Sequence, residues 1–255
     1  MFTDERQEKI EQYILKNDSA SVQELSTLFS VSEVTIRKDL EELQKGNRIV
    51  RTHGGARVKY SNSSLFYFQD LVVKCPEEKH IIAQKALEFI EDGDTIFLDG
   101  STTTNELAFL IQDSDLKELK VITSSLSVAM LFQENESYSV MVIGGSLNKR
   151  MNTVEGAFME LQMSYLTVEK AFIGINGIDA EFGFSTSEVT EASAKRAICR
   201  SANRCFVMAD HTKFNKRYFI KAFDIDGGAD YLITNDRSDL IDYSPYEEKI
   251  SLILA

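Results

Sequence analysis

The chain has 255 residues, of which 43% are hydrophobic and 27% are charged. This is the composition of a globular protein; it excludes a disordered or fibrous chain, and the length suits one large domain or two smaller ones. The net charge of −12, taken alone, argues against a nucleic acid partner.

No apolar stretch approaches the roughly 20 residues that a membrane-spanning helix needs. The first residues are polar rather than a basic segment followed by an apolar one, so no secretory signal is expected and we expect a cytoplasmic protein. The three cysteines, Cys75, Cys199 and Cys205, are odd in number and lack a Cys-x-x-Cys spacing. They indicate neither a disulfide framework nor a zinc site, and we expect reduced, mostly buried thiols.

The first 60 residues have helical periodicity. Apolar residues recur three and four positions apart up to Ile14 and again from Val22 to Phe29, so two short helices are predicted. Ser21 and Glu24 have the spacing of a capping box at the start of the second helix. A third helix is predicted from Ser32, its N-cap, to about residue 45, and a glycine at position 46 is expected to supply the left-handed residue that ends it.

The third helix is predicted to have two unlike faces. Its apolar side chains fall within a narrow arc, which is the expected buried side: Ile36, Leu40 and Leu43. The opposite side carries Val34, Arg37, Lys38 and Glu41, with Thr35 on its flank. Such a face suits a DNA major groove, because Arg binds guanine through two hydrogen bonds, Thr or Val contacts a thymine methyl, and Lys neutralises phosphate. A charged face that is only solvated explains this helix, taken alone, equally well.

Basic residues concentrate around this helix and just after it. Between residues 34 and 59 there are seven Lys or Arg and three acidic residues, although residues 1–60 as a whole are neutral. Residues 47–58 form two short β-like runs around Gly54 and Gly55, a pattern typical of a hairpin wing that lies along the DNA backbone. The wing favours the groove-reading interpretation.

Two segments resemble the signature of the DeoR family of bacterial transcriptional regulators. Residues 31–40 read Val-Ser-Glu-Val-Thr-Ile-Arg-Lys-Asp-Leu, and residues 51–56 read Arg-Thr-His-Gly-Gly-Ala. Most members carry a second Arg where this chain has Lys38, so we expect a phosphate contact there. The expected DNA-binding residues are Ser32, Val34, Thr35, Arg37, Lys38, Arg48, Arg51, His53 and Arg57.

A cluster of small polar residues at 61–64 precedes a new apolar pattern. We place a winged helix-turn-helix domain at 1–58, a linker at 59–76 and an effector-binding domain at 77–255. In the larger domain a helix begins at Pro76, and strand-like segments then alternate with helix-like ones or loops, which predicts a mainly parallel α/β sheet covered on both faces. The predicted strands are 95–98, 119–123, 138–143, 170–175, 204–208 and 231–234.

Small and polar residues follow several predicted strands, where open α/β sheets bind their ligands. Residues 99–104 precede a helix predicted to begin near Asn105, and backbone amides flanked by hydroxyls there suit a phosphate. Similar loops occur at 123–125, 144–146 and 210–213. Turn and capping preferences explain any one of them, but together they favour a site for a small phosphorylated ligand. No dinucleotide or P-loop motif is present and the histidines lack metal-ligand spacing, so neither a cofactor nor a metal is expected.

The resemblance to the DeoR family extends over nearly the whole chain, through segments such as 144–145, 170–174 and 191–196. It implies a sensor domain related to sugar-phosphate isomerases and CoA transferases, which binds a phosphorylated sugar that relieves repression. The effector-site residues that it implies are Asp99, Gly100, Ser101, Thr102, Thr103, Thr104, Ser124, Gly144, Gly145, Asp210 and Lys213.

Three positions depart from the family pattern. Ser101 stands where the family usually has Gly, Ser124 stands where it usually has Asn, and residues 68–71 lack an Arg that is often found there. We expect each departure to change the choice of ligand or to weaken the pocket.

The resemblance implies a regulator of transcription, a repressor of sugar-metabolism genes, whose partners are a double-stranded DNA operator and a phosphorylated sugar. A homo-oligomer is expected, because paired half-sites multiply the specificity of one short winged helix. The first alternative is a sugar-phosphate isomerase with an appended DNA-binding segment, since Asp99, Asp210 and Lys213 are able to transfer protons. Carboxylates that only accept hydrogen bonds from sugar hydroxyls explain these residues as well, and we expect no enzyme. The second alternative is a protein-interaction module whose basic N-terminal segment is a solvated face.

Overall fold

The computed structural model describes residues 3–17, 19–46, 49–52, 54–58 and 68–255. The described residues divide into two compact units. The smaller unit holds the residues up to Val58 together with 69–75, and the larger holds Phe68 with 76–255. Among the helices in these ranges, none has the length and hydrophobicity that a membrane-spanning segment requires.

Up to Val58, the smaller unit contains three helices and a three-stranded sheet. Its elements in chain order are α1 (Thr3–Asn17), β1 (Ser19–Ser21), α2 (Val22–Phe29), α3 (Glu33–Lys45), β2 (Ile49–Thr52) and β3 (Gly55–Val58). Strand β3 pairs antiparallel with β2, as predicted for the wing, and on its other side with β1, which was not predicted. The three predicted helices are confirmed, because apolar residues of all three, together with Ile49 and Ala56 of the sheet, form one buried cluster.

The helix ends confirm the predicted N-caps and correct one C-cap. Both hydrogen bonds of the capping box between Ser21 and Glu24 are present. Ser32 caps α3 by accepting a hydrogen bond from the amide of Thr35. Gly46 does not adopt a left-handed conformation, since its φ is −69°. The left-handed residue is instead Ser30, with φ 53°, which ends α2 and turns the chain towards α3.

A buried ion pair joins α1 to α3. The Arg6 guanidinium donates to both carboxylate oxygens of Asp39, through Nε at 2.7 Å and through an Nη at 3.2 Å. Gln7 donates to the same carboxylate. Asp39 is therefore a structural residue at the back of α3, although the sequence shows it only as one acid among the basic residues around it.

From residue 68 onwards the described chain contains twelve strands, seven helices and one short 3-10 turn, all in the larger unit except α4, of which only Phe68 belongs there. They are α4 (Phe68–Val72), α5 (Pro76–Leu87), β4 (Thr95–Leu98), α6 (Thr102–Gln112), β5 (Lys120–Thr123), α7 (Leu126–Phe132), β6 (Ser139–Val142), β7 (Ser146–Asn148), β8 (Thr153–Glu155), α8 (Ala157–Met163), β9 (Val168–Gly174), β10 (Gly177–Asp179), β11 (Gly183–Thr186), α9 (Val189–Ser201), β12 (Ala202–Met208), the 3-10 turn (His211–Lys213), β13 (Ile220–Phe223), β14 (Tyr231–Thr234), α10 (Ser244–Glu247) and β15 (Ser251–Leu254).

The centre of this unit is a parallel sheet of seven strands in the order β15-β14-β12-β9-β4-β5-β6. All six predicted strands belong to it, so the α/β fold class is confirmed, and β15 is the one strand that was not predicted. Successive residues of strand β4 belong to two different hydrophobic cores, one on each face of the sheet. Phe97 packs with α8 and α9, whereas Ile96 and Leu98 pack with α5, α6 and α7. The sheet is therefore covered on both faces, as expected for parallel strands.

Two smaller sheets lie outside the predicted alternation. Strands β10, β11 and β13 form an antiparallel sheet, and β7 and β8 form a hairpin directly after β6. The expectation of reduced thiols is wrong for Cys199 and Cys205, which are paired as a disulfide with Cα atoms 5.4 Å apart. The spacing alone does not reveal this, because it is the turn from α9 into β12 that brings the two residues together.

Candidate functional site

The first turn of α3 presents the predicted recognition residues. Ser32 and Thr35 fix each other, because the Ser32 hydroxyl accepts from the Thr35 amide at 3.2 Å and lies 2.9 Å from the Thr35 hydroxyl. Val34 is 74% exposed, which is unusual for an apolar side chain on a helix that buries three others. Arg37 and Lys38 are exposed on the same side. The structure thus brings five of the predicted DNA-binding residues together on one open helix face.

The charges on this face differ in how they are held. Arg37 forms an exposed ion pair with Glu33, one turn earlier, at 2.8 Å. Such a pair is worth under about 1 kcal/mol, so a phosphate or a guanine edge competes with it readily. Lys38 has no hydrogen-bond or ion-pair partner within the described residues. Lys38 is therefore the cation on this helix that is most available to a phosphate.

The wing is linked to α3 through Gln44, whose side-chain oxygen accepts a hydrogen bond from the Arg51 amide at 3.2 Å. The Arg51 side chain is exposed. Arg48 and His53 lie outside the described residues. The backbone of Arg57 pairs with Ser19 of β1, and its side chain is likewise outside the part that is described.

In the larger unit, Asp99 is the centre of the polar groups at the carboxyl end of β4. It is 4% exposed. One carboxylate oxygen accepts the Ser101 amide at 2.9 Å, and the other accepts the Gly174 amide at 2.9 Å and the Lys195 ammonium at 3.1 Å. Asp99 therefore ties the loop after β4, the end of β9 and helix α9 to one point.

Two residues at this point, Glu191 and Lys195, were not among the predicted site residues. They lie one turn apart on α9, with Lys195 Nζ 3.5 Å from the Glu191 carboxylate. Burial raises the pKa of Glu191 above its ordinary value, although Lys195 opposes the effect. Burial lowers the pKa of Lys195, but the charges of Asp99 and Glu191 outweigh it, so the pKa is raised. In the orientation that satisfies its neighbours, the Asn176 amide also donates to Glu191, at 3.1 and 3.3 Å.

Helix α6 begins at Thr102, three residues before the predicted position near Asn105. Ser101 is its N-cap and accepts the Thr104 amide at 3.2 Å. The first amides of a helix have no partner within the helix, so those of Thr102 and Thr103 remain available to a bound anion. The side chains of Thr103 and Thr104 are buried. The phosphate site predicted at residues 99–104, called the cradle below, thus consists mainly of backbone amides.

Close backbone approaches shape this cradle. A side chain on Gly100 would meet the methyl group of Thr153 on β8, and a side chain on Gly174 would meet Ser101. Glycine is required at both positions because these segments pack against each other without room for a Cβ. The β7–β8 hairpin therefore lies directly beside the start of α6. The hairpin turn also carries Arg150, a cation that was not predicted, which pairs with Glu188.

Asp210 and Lys213 form a second polar group, after β12. Lys213 Nζ lies 3.8 Å from the Asp210 carboxylate, and the Thr212 amide donates to Asp210 at 2.9 Å. Burial works to raise the pKa of Asp210, but the charge of Lys213, the hydrogen bonds from Thr212 and the charge of Lys79 lower it overall. Strand β9 separates β12 from β4, so this group is roughly 10 Å from Asp99 along the same edge of the sheet.

The remaining candidates have structural roles in the described residues. The Ser124 carbonyl accepts the Val154 amide at 2.7 Å, which attaches β8 to the end of β5. The side chain of Gln162 donates to the Gly144 carbonyl at 2.8 Å and accepts its amide at 3.2 Å. A side chain on Gly145 would meet the backbone of Glu155. Gly144 and Gly145 thus shape the hairpin beside the cradle, and the amide of Gly144 already has a partner.

Comparison with known proteins identifies the chain. A model of the DeoR-like helix-turn-helix domain matches residues 6–62, and a model of the DeoR C-terminal sensor domain matches residues 74–236. The chain belongs to the DeoR family of transcriptional regulators. The membership of the DeoR family that the sequence motifs predict is confirmed.

Several regulators of this family are similar to the chain over most of their length. A Bacillus subtilis HTH-type transcriptional regulator named FruR is 33% identical over 98% of this chain and 97% of its own. The glycerol-3-phosphate regulon repressor of Escherichia coli is 31% identical over 85% of this chain and 84% of its own. A solved ribose-5-phosphate isomerase in complex with phospho-erythronic acid is similar at a TM-score of 0.41, with 18% identity over 55% of this chain and 54% of its own.

In this DeoR-family regulator, the two carboxylates that the isomerase alternative invokes are both engaged by groups of the protein itself. The Asp99 oxygens already accept two amides and an ammonium, and Asp210 is held by Thr212 and Lys213. A catalytic base needs a carboxylate that is open to substrate and whose pKa lies near the working pH. The isomerase alternative is not favoured, and FruR and the glycerol-3-phosphate regulon repressor are both regulators.

Proposed function

We propose that the chain is a cytoplasmic repressor of sugar-metabolism genes, which binds paired operator half-sites as a homo-oligomer and loses DNA affinity when a phosphorylated sugar binds the larger unit. Relatives named as repressors include those of the glycerol-3-phosphate regulon and of the aga operon. A repressor acts where the chromosome is, which places it in the cytoplasm. The division into a DNA-binding domain at 1–58, a linker at 59–76 and an effector domain at 77–255 is part of this proposal.

The open face of α3 carries the DNA-binding part of the proposal. An exposed apolar Val34 between a capped N-terminus and two cations has no role in the helical core, and it suits a thymine methyl in the major groove. Lys38 and Arg51 are exposed where they can neutralise phosphates on either side of the groove. Ser32 and Thr35 add hydroxyl donors at the same helix end.

The start of α6 supports the effector part. We place the phosphate against the amides of Thr102 and Thr103, where a helix N-terminus favours an anion. Lys195 is already neutralised by the carboxylates of Asp99 and Glu191, whereas Lys213 is partly exposed and holds Asp210 only loosely, at 3.8 Å. Lys213 is therefore the lysine we assign to the ligand, with Asp210 accepting from a sugar hydroxyl once Lys213 turns away. Asp99, Gly100, Ser101 and Thr104 then hold the cradle in shape.

A second copy of the chain is the partner we propose for the exposed apolar residues on and after α8. Phe158 is 62% exposed, Leu161 50% and Tyr165 81%, and their helical spacing places them on one side. Residues 61–255 hold the whole excess of twelve negative charges. Two such acidic copies approach each other with least repulsion at an apolar surface, and operator half-sites require paired domains.

Fluorescence anisotropy on the protein's own promoter DNA, at fixed ionic strength, tests the proposal. A panel of sugar phosphates is compared with the same sugars without phosphate, on the wild type and on Lys213→Ala. The exposed Lys117→Ala is the matched control. We expect one sugar phosphate to weaken DNA binding by roughly 5- to 150-fold, the usual range of allosteric coupling. Lys213→Ala should bind DNA normally and lose the response, and a retained response in that variant would reject the site assignment.

A further inference from the structure

The disulfide between Cys199 and Cys205 joins the last turn of α9 to β12, the strand that follows it. The two sulfurs differ sharply in accessibility. Cys205 is 2% exposed, whereas Cys199 is partly exposed and lines a cavity of about 520 Å³. Thiol–disulfide exchange proceeds through the sulfur that a second thiol can reach. Cys199 is therefore the sulfur through which this bond opens and closes.

The cavity in front of Cys199 is rich in charge. Its charged lining residues are Arg196, Arg200, Lys221, Asp224 and Asp226. The Arg196 guanidinium is fixed by the carbonyls of Lys221 and Ala222, at 3.0 and 2.9 Å, and keeps its positive charge in place. Arg200 is exposed and has no hydrogen-bond or ion-pair partner within the described ranges.

These cations have two effects on Cys199. They favour the thiolate, which is the reacting form, and so offset the negative end of the helix dipole at this last turn. They also attract a reactant that carries carboxylates. Asp224 pairs with Lys221, so Asp226 is the lining acid that suits an ammonium group on the same molecule. Both effects select a small anionic thiol or disulfide with amino acid character.

We propose that Cys199 and Cys205 form a site of thiol–disulfide exchange with an anionic low-molecular-weight thiol. In the oxidising direction, the Cys199 thiolate attacks the disulfide of the small molecule, forms a mixed disulfide and releases one small thiolate. The Cys205 sulfur, having lost its proton to solvent, then attacks Cys199 and releases the second. The protein gains one disulfide and the small disulfide becomes two thiols. Reduction follows the same steps in reverse, with Cys205 as the leaving thiolate.

The exchange bears on the polar group around Asp99 because of its place on α9. Glu191, Lys195 and Cys199 are four residues apart in succession, so they lie along one side of the helix. The disulfide fixes the end of the helix whose earlier turns hold Asp99. Reduction removes this fixed point, so we expect the α9 amides after Lys195 to exchange hydrogen faster in the reduced protein.

The first test uses fully reduced, full-length protein and glutathione disulfide as the probe, read by intact mass and peptide mapping. In the wild type we expect the loss of two hydrogens, mapped to a bond between Cys199 and Cys205. In Cys205→Ala we expect a stable glutathione adduct at Cys199, formed about tenfold faster than at the partly exposed Cys75. Equal rates at Cys199 and Cys75 would overturn the proposal, as would a mixed disulfide at Cys199 that persists in the wild type.

The second test distinguishes attraction of the reactant by the charges of the cavity from the effect of the exposure of Cys199 alone. Arg200→Glu should slow the reaction of reduced protein with glutathione disulfide by about threefold to tenfold and leave its reaction with the uncharged 2-hydroxyethyl disulfide unchanged. Arg204→Glu, which changes an exposed arginine outside the cavity lining, is the matched control. Equal slowing with both disulfides, or by both variants, would show that the cavity does not select the reactant. Circular dichroism of each variant establishes that it is folded.

Discussion

The Lys195 ammonium lies 3.1 Å from the Asp99 carboxylate, across 96 residues of sequence. Both side chains are almost completely buried. The same carboxylate holds the end of β9 through Gly174 and the loop before α6 through Ser101. One ion pair therefore holds together three segments that the proposed ligand site depends on.

Lys195→Met should destabilise the larger unit strongly, by about 3–5 kcal/mol, because it leaves the Asp99 carboxylate buried without its counter-ion. Urea unfolding at neutral pH measures the loss. Lys195→Met combined with Asp99→Asn should recover part of it, since the unpaired charge is then gone. A double variant no more stable than the single one would show that the amides on Asp99, rather than the pair, dominate.

Asp39→Asn should loosen the smaller unit, because the Arg6 guanidinium loses the carboxylate that holds α1 to α3. We expect about 3 kcal/mol of lost local stability, since the pair is nearly buried. Hydrogen exchange of the α1 and α3 amides in the full chain measures it, and the amides of α6 serve as the internal reference. Unchanged exchange in α3 would contradict the role assigned to this pair.

Lys38→Ala should weaken binding to all DNA sequences alike and reduce the salt dependence of the logarithm of the binding constant by about 0.9. Lys45→Ala, on the last turn of the same helix and paired with Glu42 at 2.8 Å, is the control and should leave the slope unchanged. Val34→Ala should instead leave the slope alone and relax the preference for one base. A Lys38→Ala slope equal to that of the wild type would remove Lys38 from the phosphate contacts.

Asp210 should make the free energy of unfolding of the protein depend on pH in the acidic range. Its folded pKa lies below the ordinary carboxyl value of about 3.9, so the unfolded state binds more protons between the two pH values. The stabilisation is therefore complete above the ordinary value and is lost as the pH falls through the folded one. Unfolding measured from pH 6 to pH 2 should show a shallower acid loss for Asp210→Asn than for the wild type. Parallel curves would contradict the lowered pKa.

Gly100→Ala should destabilise the cradle, because its new methyl would occupy the position of the Thr153 methyl. Combining it with Thr153→Ser removes that methyl and should restore much of the lost stability. Thermal unfolding of the two single variants and the double variant gives the coupling between these sites. Additive losses would show that the backbone moves instead of the side chain.

The pattern of apolar residues predicts most of the fold. The spacing of polar residues along the chain predicts fewer of the residues in the candidate site. Six of the seven strands of the main sheet are evident as apolar runs, and the seventh, β15, is seen only through its pairing with β14. Glu191 and Lys195 lie four residues apart, as surface ion pairs on helices commonly do, and only the packing of α9 on the sheet buries Lys195 against Asp99. The start of α6 was placed late because three threonines are poor helix formers and the cap at Ser101 outweighs them.

The two hydrogen bonds between the Gln162 side chain and the backbone of Gly144 limit the pairing of a further strand with the sheet. Strand β6 is an edge of the seven-stranded sheet, with Met141 and Val142 exposed. At its end, the Gln162 amide occupies the amide and the carbonyl of Gly144 as a neighbouring strand would. Only a few backbone groups at this edge therefore remain open to a further strand. They are too few to support the edge-to-edge pairing of sheets that leads to aggregation.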